Sequence, residues 1–180
     1  MDSLQGKLLI AGPDLWDPNF RRTIVLVGHH DDEGAVGVVL NRASDVSVDE
    51  AAPPLADLVE PGEPLFLGGP VQPQSAVVLA DFDDPARAEV LAFGSIGFFS
   101  GEGEPGEYEG IRQARVFAGY AGWGPGQLEA ELEESSWIVE EALPGDVFTP
   151  SPEALWESVL RRKGPSFHVL STMPVDPTSN

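Results

Sequence analysis

The sequence predicts one loop-rich domain built of short strands, with a single well-marked helix near its C-terminal end. Its 180 residues suit one domain and can bury roughly 70% of the unfolded surface, so a core forms without covalent staples. Its apolar stretches, such as residues 23–27 and 36–40, are strand-sized and rich in Val, Ile and Leu. Its 20 Gly and 17 Pro give more turn punctuation than average, yet less than disordered chains carry.

Residues 7–11 read as the first strand, closed by Gly12-Pro13. Residues 14–21 form a loop carrying Leu15, Trp16 and Phe20. Residues 23–29 include Ile24, Val25, Leu26 and Val27 without polar alternation, which predicts a strand covered on both faces. The turn Asp31-Asp32-Glu33-Gly34 and the run 35–41 complete a hairpin, with Gly34 where φ is positive. Pro53-Pro54 breaks the apolar stretch 48–59 and leaves room for a short helix after it. Residues 65–67 and 76–80 read as strands around a Gly68-Gly69-Pro70 turn, and 89–93 as a strand or a helix end. Residues 100–110, with Glu102, Glu104, Glu107 and Glu109, are expected to be a mobile acidic loop. Residues 115–121 alternate as a strand and run into Gly122-Trp123-Gly124-Pro125-Gly126, followed by a helix over 127–134 and a strand over 137–139. Residues 151–163 are the best-marked helix, with Ser151 as N-cap, Pro152 in the first position and Gly164 at the end. Leu155, Trp156, Val159 and Leu160 make its apolar stripe. No repeat or linker interrupts the chain, so a single domain over 1–180 is predicted, with a frayed tail over 171–180.

Ten Lys and Arg stand against 30 Asp and Glu, a formal net charge of −20. Such a chain repels polyanions, and its scattered cations form no visible basic face. Direct binding to duplex DNA or to an anionic membrane is therefore disfavoured. Arg161-Arg162-Lys163 end the predicted helix, where cations complement the dipole. The absence of Cys excludes disulfides, thiolate catalysis, zinc fingers and iron–sulfur clusters. Asp2 sits where a leader peptide carries positive charge, and no apolar run approaches the roughly 18 residues of a membrane span. A cytoplasmic protein is expected.

His29 and His30 are strand neighbours facing opposite sides, so they do not share one ion and no metal site is expected. Residues 101–106 spell G-x-G-x-x-G, but Pro105 removes an amide and two Glu repel phosphate. Phe93-Gly94-Ser95-Ile96-Gly97 lacks the glycine two positions before the serine that a nucleophile elbow requires. No cofactor is expected. The most unusual segment runs from Gly119 to Gln127, where a strand enters a four-glycine turn and leaves into a helix. It implies close backbone approach, with Gly122 and Gly126 as the turn's requirements. Asn41-Arg42 ends a buried strand and reads as either a solvated turn or a recognition edge. Arg42 and Glu131 are opposite charges, Tyr120 and Trp123 each offer an apolar face with a polar tip, and Gln127 opens a helix with free amides. Asn41, Arg42, Tyr120, Trp123, Gln127 and Glu131 are therefore predicted to converge as a ligand or partner site. Gly68, Gly69, Pro70, Gly119, Gly122 and Gly126 form its structural motif. The plainer reading is that Trp123 plugs the core and Glu131 faces solvent.

Four segments appear in order: LLIAGPDLWDPNFRRTIVLV (8–27), GAVGVVLNR (34–42), GGPVQP (68–73) and FAGYAGWGPGQLEAEL (117–132). On these the chain resembles the YqgE/AlgH family of small bacterial proteins over nearly its whole length. Asp17, Pro18, Phe20, Arg22 and Thr23 match the first motif, and Gly37, Asn41 and Arg42 the second. Gly68, Gly69, Pro70 and Val71 match the third. Gly119, Tyr120, Gly122, Trp123, Gly126, Gln127, Leu128 and Glu131 match the fourth. The resemblance implies an α+β domain, with a mixed, largely antiparallel sheet curling toward a small barrel and helices around it. It implies no established reaction; the family's label of transcriptional regulator comes from exopolysaccharide control attributed to one branch. Gln74-Ser75 replace the Arg or Asp of many members. Gly28 or a neighbour replaces the Cys of some, so no thiol redox role carries over.

Together these readings predict a regulatory or protein-interaction protein that does not touch DNA directly, its partner an unidentified protein rather than nucleic acid or membrane. The alternative is a small-molecule binder or an enzyme of unknown reaction, with its site at the Gly-Trp-Gly turn.

Overall fold

Strands that are apolar on both faces must lie between two packed layers, and β1 (Lys7–Ala11) and β2 (Ile24–Asp31) do so. The structure, a computed structural model, describes residues 2–13, 15, 17–100 and 109–164. Leu8, Ile10, Ile24 and Leu26 face one core, with Leu155, Trp156, Val159 and Leu160. Leu9, Val25 and Val27 face a second, with Trp123 and Trp137. Each such fully buried side chain contributes roughly 1.5–3 kcal/mol, so these alternating faces decide where both layers pack.

The remaining strands are β3 (Gly34–Val39), β4 (Ala43–Ser47), β5 (Pro64–Leu67), β6 (Val71–Phe82), β7 (Val90–Phe93), β8 (Ile96–Ser100), β9 (Ile111–Trp123) and β10 (Trp137–Glu141). The helices are α1 (Val48–Ala51), α2 (Gln127–Glu133), α3 (Pro144–Val147) and α4 (Leu155–Lys163). The sheet runs β10-β1-β2-β3-β9-β6-β8-β7 through antiparallel pairs, while β4 pairs with β5 and β5 lies parallel to β9. The fold is thus mixed α+β with a largely antiparallel sheet. The sheet curls enough to bring β7 against β2, and the Gln5 amide donates to the Leu91 carbonyl at 2.8 Å. It nevertheless stays open, with β10 and β7 at its two ends, and no barrel closes.

Several elements differ from the sequence expectation. β4, β8 and α3 occupy stretches where none is predicted. β7 and β8 form a hairpin through Gly94, with φ of 55°, where the sequence mimics a nucleophile elbow. Ser95 donates its hydroxyl proton to Asp81. β6 starts at Val71 because a bulge, with Gln72 at φ 46°, takes up Pro73 within the strand. The Pro53-Pro54 stretch is a 3₁₀ turn, Pro53–Leu58, and α1 precedes it. The Ser151 hydroxyl caps nothing: a 3₁₀ turn, Pro152–Ala154, precedes α4, which starts at Leu155. Residues 101–108 of the acidic loop, with its glycine string, and the tail 171–180 lie outside the described residues. No helix among the described residues is long and apolar enough to cross a membrane.

The cations closing α4 do more than complement a dipole. Arg162 donates to both carboxylate oxygens of Asp146, at 2.8 Å each, and to the Glu141 carbonyl at 3.0 Å. Lys163 reaches the Val139 carbonyl at 2.7 Å, and only Arg161 stays on its own helix, 3.7 Å from Glu157. The triplet therefore ties α4 to β10 and α3.

Candidate functional site

The loop over residues 17–23 joins β1 to β2 and is held from two sides. On one side stand Asn41 and Arg42, directly after β3. The Asn41 side chain accepts from the Ile24 amide at 3.0 Å and donates to the Arg22 carbonyl at 2.9 Å, extending the ladder beyond the strand. Arg42 donates to the carbonyls of Asn19, at 2.6 Å, and Arg21, at 3.1 Å. Burial, and secondarily the charge of Arg21, lowers the pKa of Arg42 below the usual guanidinium value. Arg22 stands at φ 54°, its guanidinium 4.6 Å above the Trp156 ring.

On the other side stands an aromatic cluster. Phe20 stacks on Trp123 with ring centres 6.2 Å apart, and both rings meet the Trp137 ring edge-on at 5.8 and 6.0 Å. Glu131 accepts the Trp123 indole N–H at 3.0 Å and the Trp137 indole N–H at 2.9 Å. Gln127 donates to the other Glu131 oxygen at 3.0 Å, and its own carbonyl accepts the Gly124 amide. Every polar tip in this cluster has a partner within it, and the Gly124 amide before the helix is already occupied.

The six predicted site residues thus separate into groups. Trp123, Gln127 and Glu131 come together. Asn41 and Arg42 sit side by side, but Arg42 does not pair with Glu131. Phe20, in the shared loop, links the two groups. Tyr120 belongs to neither: it lies on the opposite face of β9 from Trp123 and packs against the first core. The sequence offered no sign of Trp137 as a partner, because α2 must fold back before β10 meets β1.

The glycine motif is resolved residue by residue. Gly119 has φ +74°, and a Cβ there would lie 2.5 Å from the Gly69 carbonyl oxygen; a Cβ on Gly68 would lie 2.3 Å from the Gly119 oxygen. The turn at Gly68-Gly69-Pro70 and the β9 kink at Gly119 therefore meet backbone to backbone. Gly126 also has φ +74° and precedes α2. Gly122 does not share this conformation: it pairs with Val36 as ordinary strand, and a Cβ there meets nothing nearer than 3.6 Å. The turn does not require glycine at 122.

Two clefts flank these elements. One, of about 210 Å³, is almost wholly apolar and opens between the β2–β3 hairpin and the β7–β8 hairpin. Its walls include Val36, Val38, Val77, Val90, Phe98 and Tyr120, and Val36 and Val90 are 41% and 39% exposed. The other, of about 240 Å³, lies between the 17–23 loop and the Gly69-Pro70 turn, with Arg42 on its wall. His29, on the wall of the apolar cleft, and His30 face opposite ways. His29 pairs with Asp31 at 2.8 Å, a hydrogen bond that holds this exposed carboxylate below the usual Asp range. His30 is buried, its Nδ1 accepting from the Leu4 amide and its Nε2 reaching Glu129 at 2.7 Å. Arg115 is a buried cation absent from the predicted set. It reaches Glu63 at 3.3 Å and the Val147 and Thr149 carbonyls, and lies 4.6 Å from the Phe66 ring centre; burial lowers its pKa.

Comparison with known proteins places this architecture. A UPF0301 protein of Streptomyces avermitilis is 46% identical over 188 residues, covering 100% of this chain and 97% of that protein. One of Mycobacteroides abscessus is 40% identical, covering 97% and 87%. A crystal structure of a Corynebacterium diphtheriae protein superposes with a TM-score of 0.85 at 31% identity, covering 94% of this chain and 92% of that one. The solution structure of the AlgH protein from Pseudomonas aeruginosa superposes with a TM-score of 0.70 at 29% identity, covering 93% of each. The AlgH-like family model matches residues 8–168. Shared from the first strand to beyond the last helix, the sequence and its fold make this chain a member of the AlgH-like family.

Proposed function

We propose that this protein is a cytoplasmic interaction module with a regulatory role, acting by protein contact and not by direct binding to DNA. The observation that carries this reading is the apolar groove between the two hairpins. It is lined mainly by aliphatic and aromatic side chains, with His29 at one side, and exposed Val36 and Val90 stand in its wall. A small-molecule or catalytic site combines an apolar wall with a few convergent polar groups that orient the ligand. This groove offers almost no polar surface, which suits an apolar side-chain anchor from another protein. The net charge of −20 favours a partner with a basic surface around that anchor. The alternative at the Gly-Trp-Gly turn has less support, because Trp123, Gln127 and Glu131 already satisfy one another.

The test is affinity capture from a native lysate with two baits, the wild type and the Val36→Asp/Val90→Asp double variant. Both positions are exposed, so the variant should fold and melt like the wild type. The reading expects a discrete set of proteins on the wild-type bait that the double variant fails to retain. Retention of the same set by both baits, or by neither, overturns it.

A further inference from the structure

We propose that the cleft between the 17–23 loop and the Gly68-Gly69-Pro70 turn binds a small oxyanion, a carboxylate or phosphate on a small apolar body, gripped by the guanidinium of Arg42. This site goes beyond the interaction groove and shares no lining residue with it.

The argument begins with where the cations go. In a chain with 30 acidic and 10 basic residues, carboxylates outnumber cations three to one. Lys7, Arg112, Arg115, Arg161 and Arg162 each have a carboxylate within ion-pair distance, whereas Arg87 and Lys163 end on backbone carbonyls. Arg42 and Arg21 are close enough to repel one another, yet among the described residues neither has a carboxylate within 4.0 Å. Asp17 acts on Arg42 only from beyond that distance. Arg42 thus stands in the field of Arg21 and of Asp17 without a direct ion pair.

The donors of Arg42 are fixed but not exhausted. A guanidinium has five N–H groups in a rigid fork. One hydrogen on each terminal nitrogen goes to the Asn19 and Arg21 carbonyls, which locks the plane and leaves three N–H groups. A planar fork so fixed matches two oxygens of a carboxylate or phosphate. The rest of the cleft fits the remainder of such a molecule. Leu67, which is 48% exposed, Pro70 and Pro73 give an apolar wall, and no acidic side chain lines the space. The volume of about 240 Å³ is below the range of drug-sized pockets and points to a small metabolite.

The experiment is a ¹H–¹⁵N NMR titration of the full chain in low-salt buffer with three probes: inorganic phosphate, benzoate and benzamide. The amides of Val39, Leu67, Gly69 and Ala118 should shift saturably with benzoate, phosphate or both, and not with uncharged benzamide. The responding anion identifies the group recognised. Arg42→Gln should weaken binding about tenfold or more, and Arg42→Lys less, since charge remains but the fork is lost. Because Arg42 also tethers the loop, Arg21→Gln is the second variant. This exposed substitution leaves the tether in place and should weaken binding severalfold at low salt, and less at about 0.15 M. No saturable shift up to about 20 mM of either anion, well above millimolar affinity, overturns the site. So does an equal response to benzamide, or anion binding unchanged in both variants.

Discussion

Glu131 shows how little of a residue's role its charge reveals. Sequence reasoning pairs it with Arg42 as an opposite charge; the fold gives it two buried indoles and an amide instead. A Trp N–H inside a core needs an acceptor, and one carboxylate serves two of them. Glu131→Ala removes the shared acceptor of both indoles, and each unsatisfied donor costs about 1–3 kcal/mol. Urea denaturation should show a loss of about 2–5 kcal/mol, with tryptophan emission shifted as the cluster loosens. A midpoint equal to the wild type would show that water satisfies the indoles without cost. Glu131→Gln keeps one acceptor oxygen and should fall between the two. Trp123 and Glu131 were recognisable as unusual from the spacing of the glycine-rich turn, but their partner Trp137 depends on a chain reversal that no local pattern encodes.

At the scale of elements, α4 is the most legible piece and its anchoring the least. The stripe Leu155, Trp156, Val159 and Leu160 reads directly from helical spacing, and all four side chains are buried. The clamp from Arg162 to Asp146 does not, because α3 is four residues containing Pro144 and Gly145, too short for any periodicity. The same brevity hides β4 and β8. Removing Arg162 leaves the Asp146 carboxylate, whose side chain is 7% exposed, without its counter-charge. Breaking such a pair is costly even though forming it gains little. Because Arg162 is itself partly exposed, the expected loss for Arg162→Ala is about 2–4 kcal/mol. The neighbouring Arg161→Ala, which loses only an exposed contact within one helix, should stay within about 0.5 kcal/mol. Thermal melts of the two variants check this, and equal melting temperatures would mean that the clamp does not hold the helix.

For the whole molecule, charge and strand order act together. A net charge of −20 with no broad basic face predicts that a gel-shift titration with duplex DNA at about 50 mM salt, where electrostatic binding is strongest, shows no complex at micromolar protein. A micromolar or tighter complex would contradict it. The β2–β3 hairpin could be read from the sequence because its strands are neighbours around Gly34. The pairing of β3 with β9, and of β1 with β10, could not, since period-two patterns mark strands but not their partners. The position of β1 carries a consequence for the birth of the molecule. Lys7 lies opposite Glu141, so one edge of the first strand waits for residues made 134 positions later. During elongation that apolar edge stands open while the β2–β3 hairpin is already available, which leaves a template for mispairing with other nascent chains. Assembly of the sheet is governed by this long-range closure. The open edge of β1 therefore persists until β10 pairs with it, and vulnerability to aggregation is greatest in that interval.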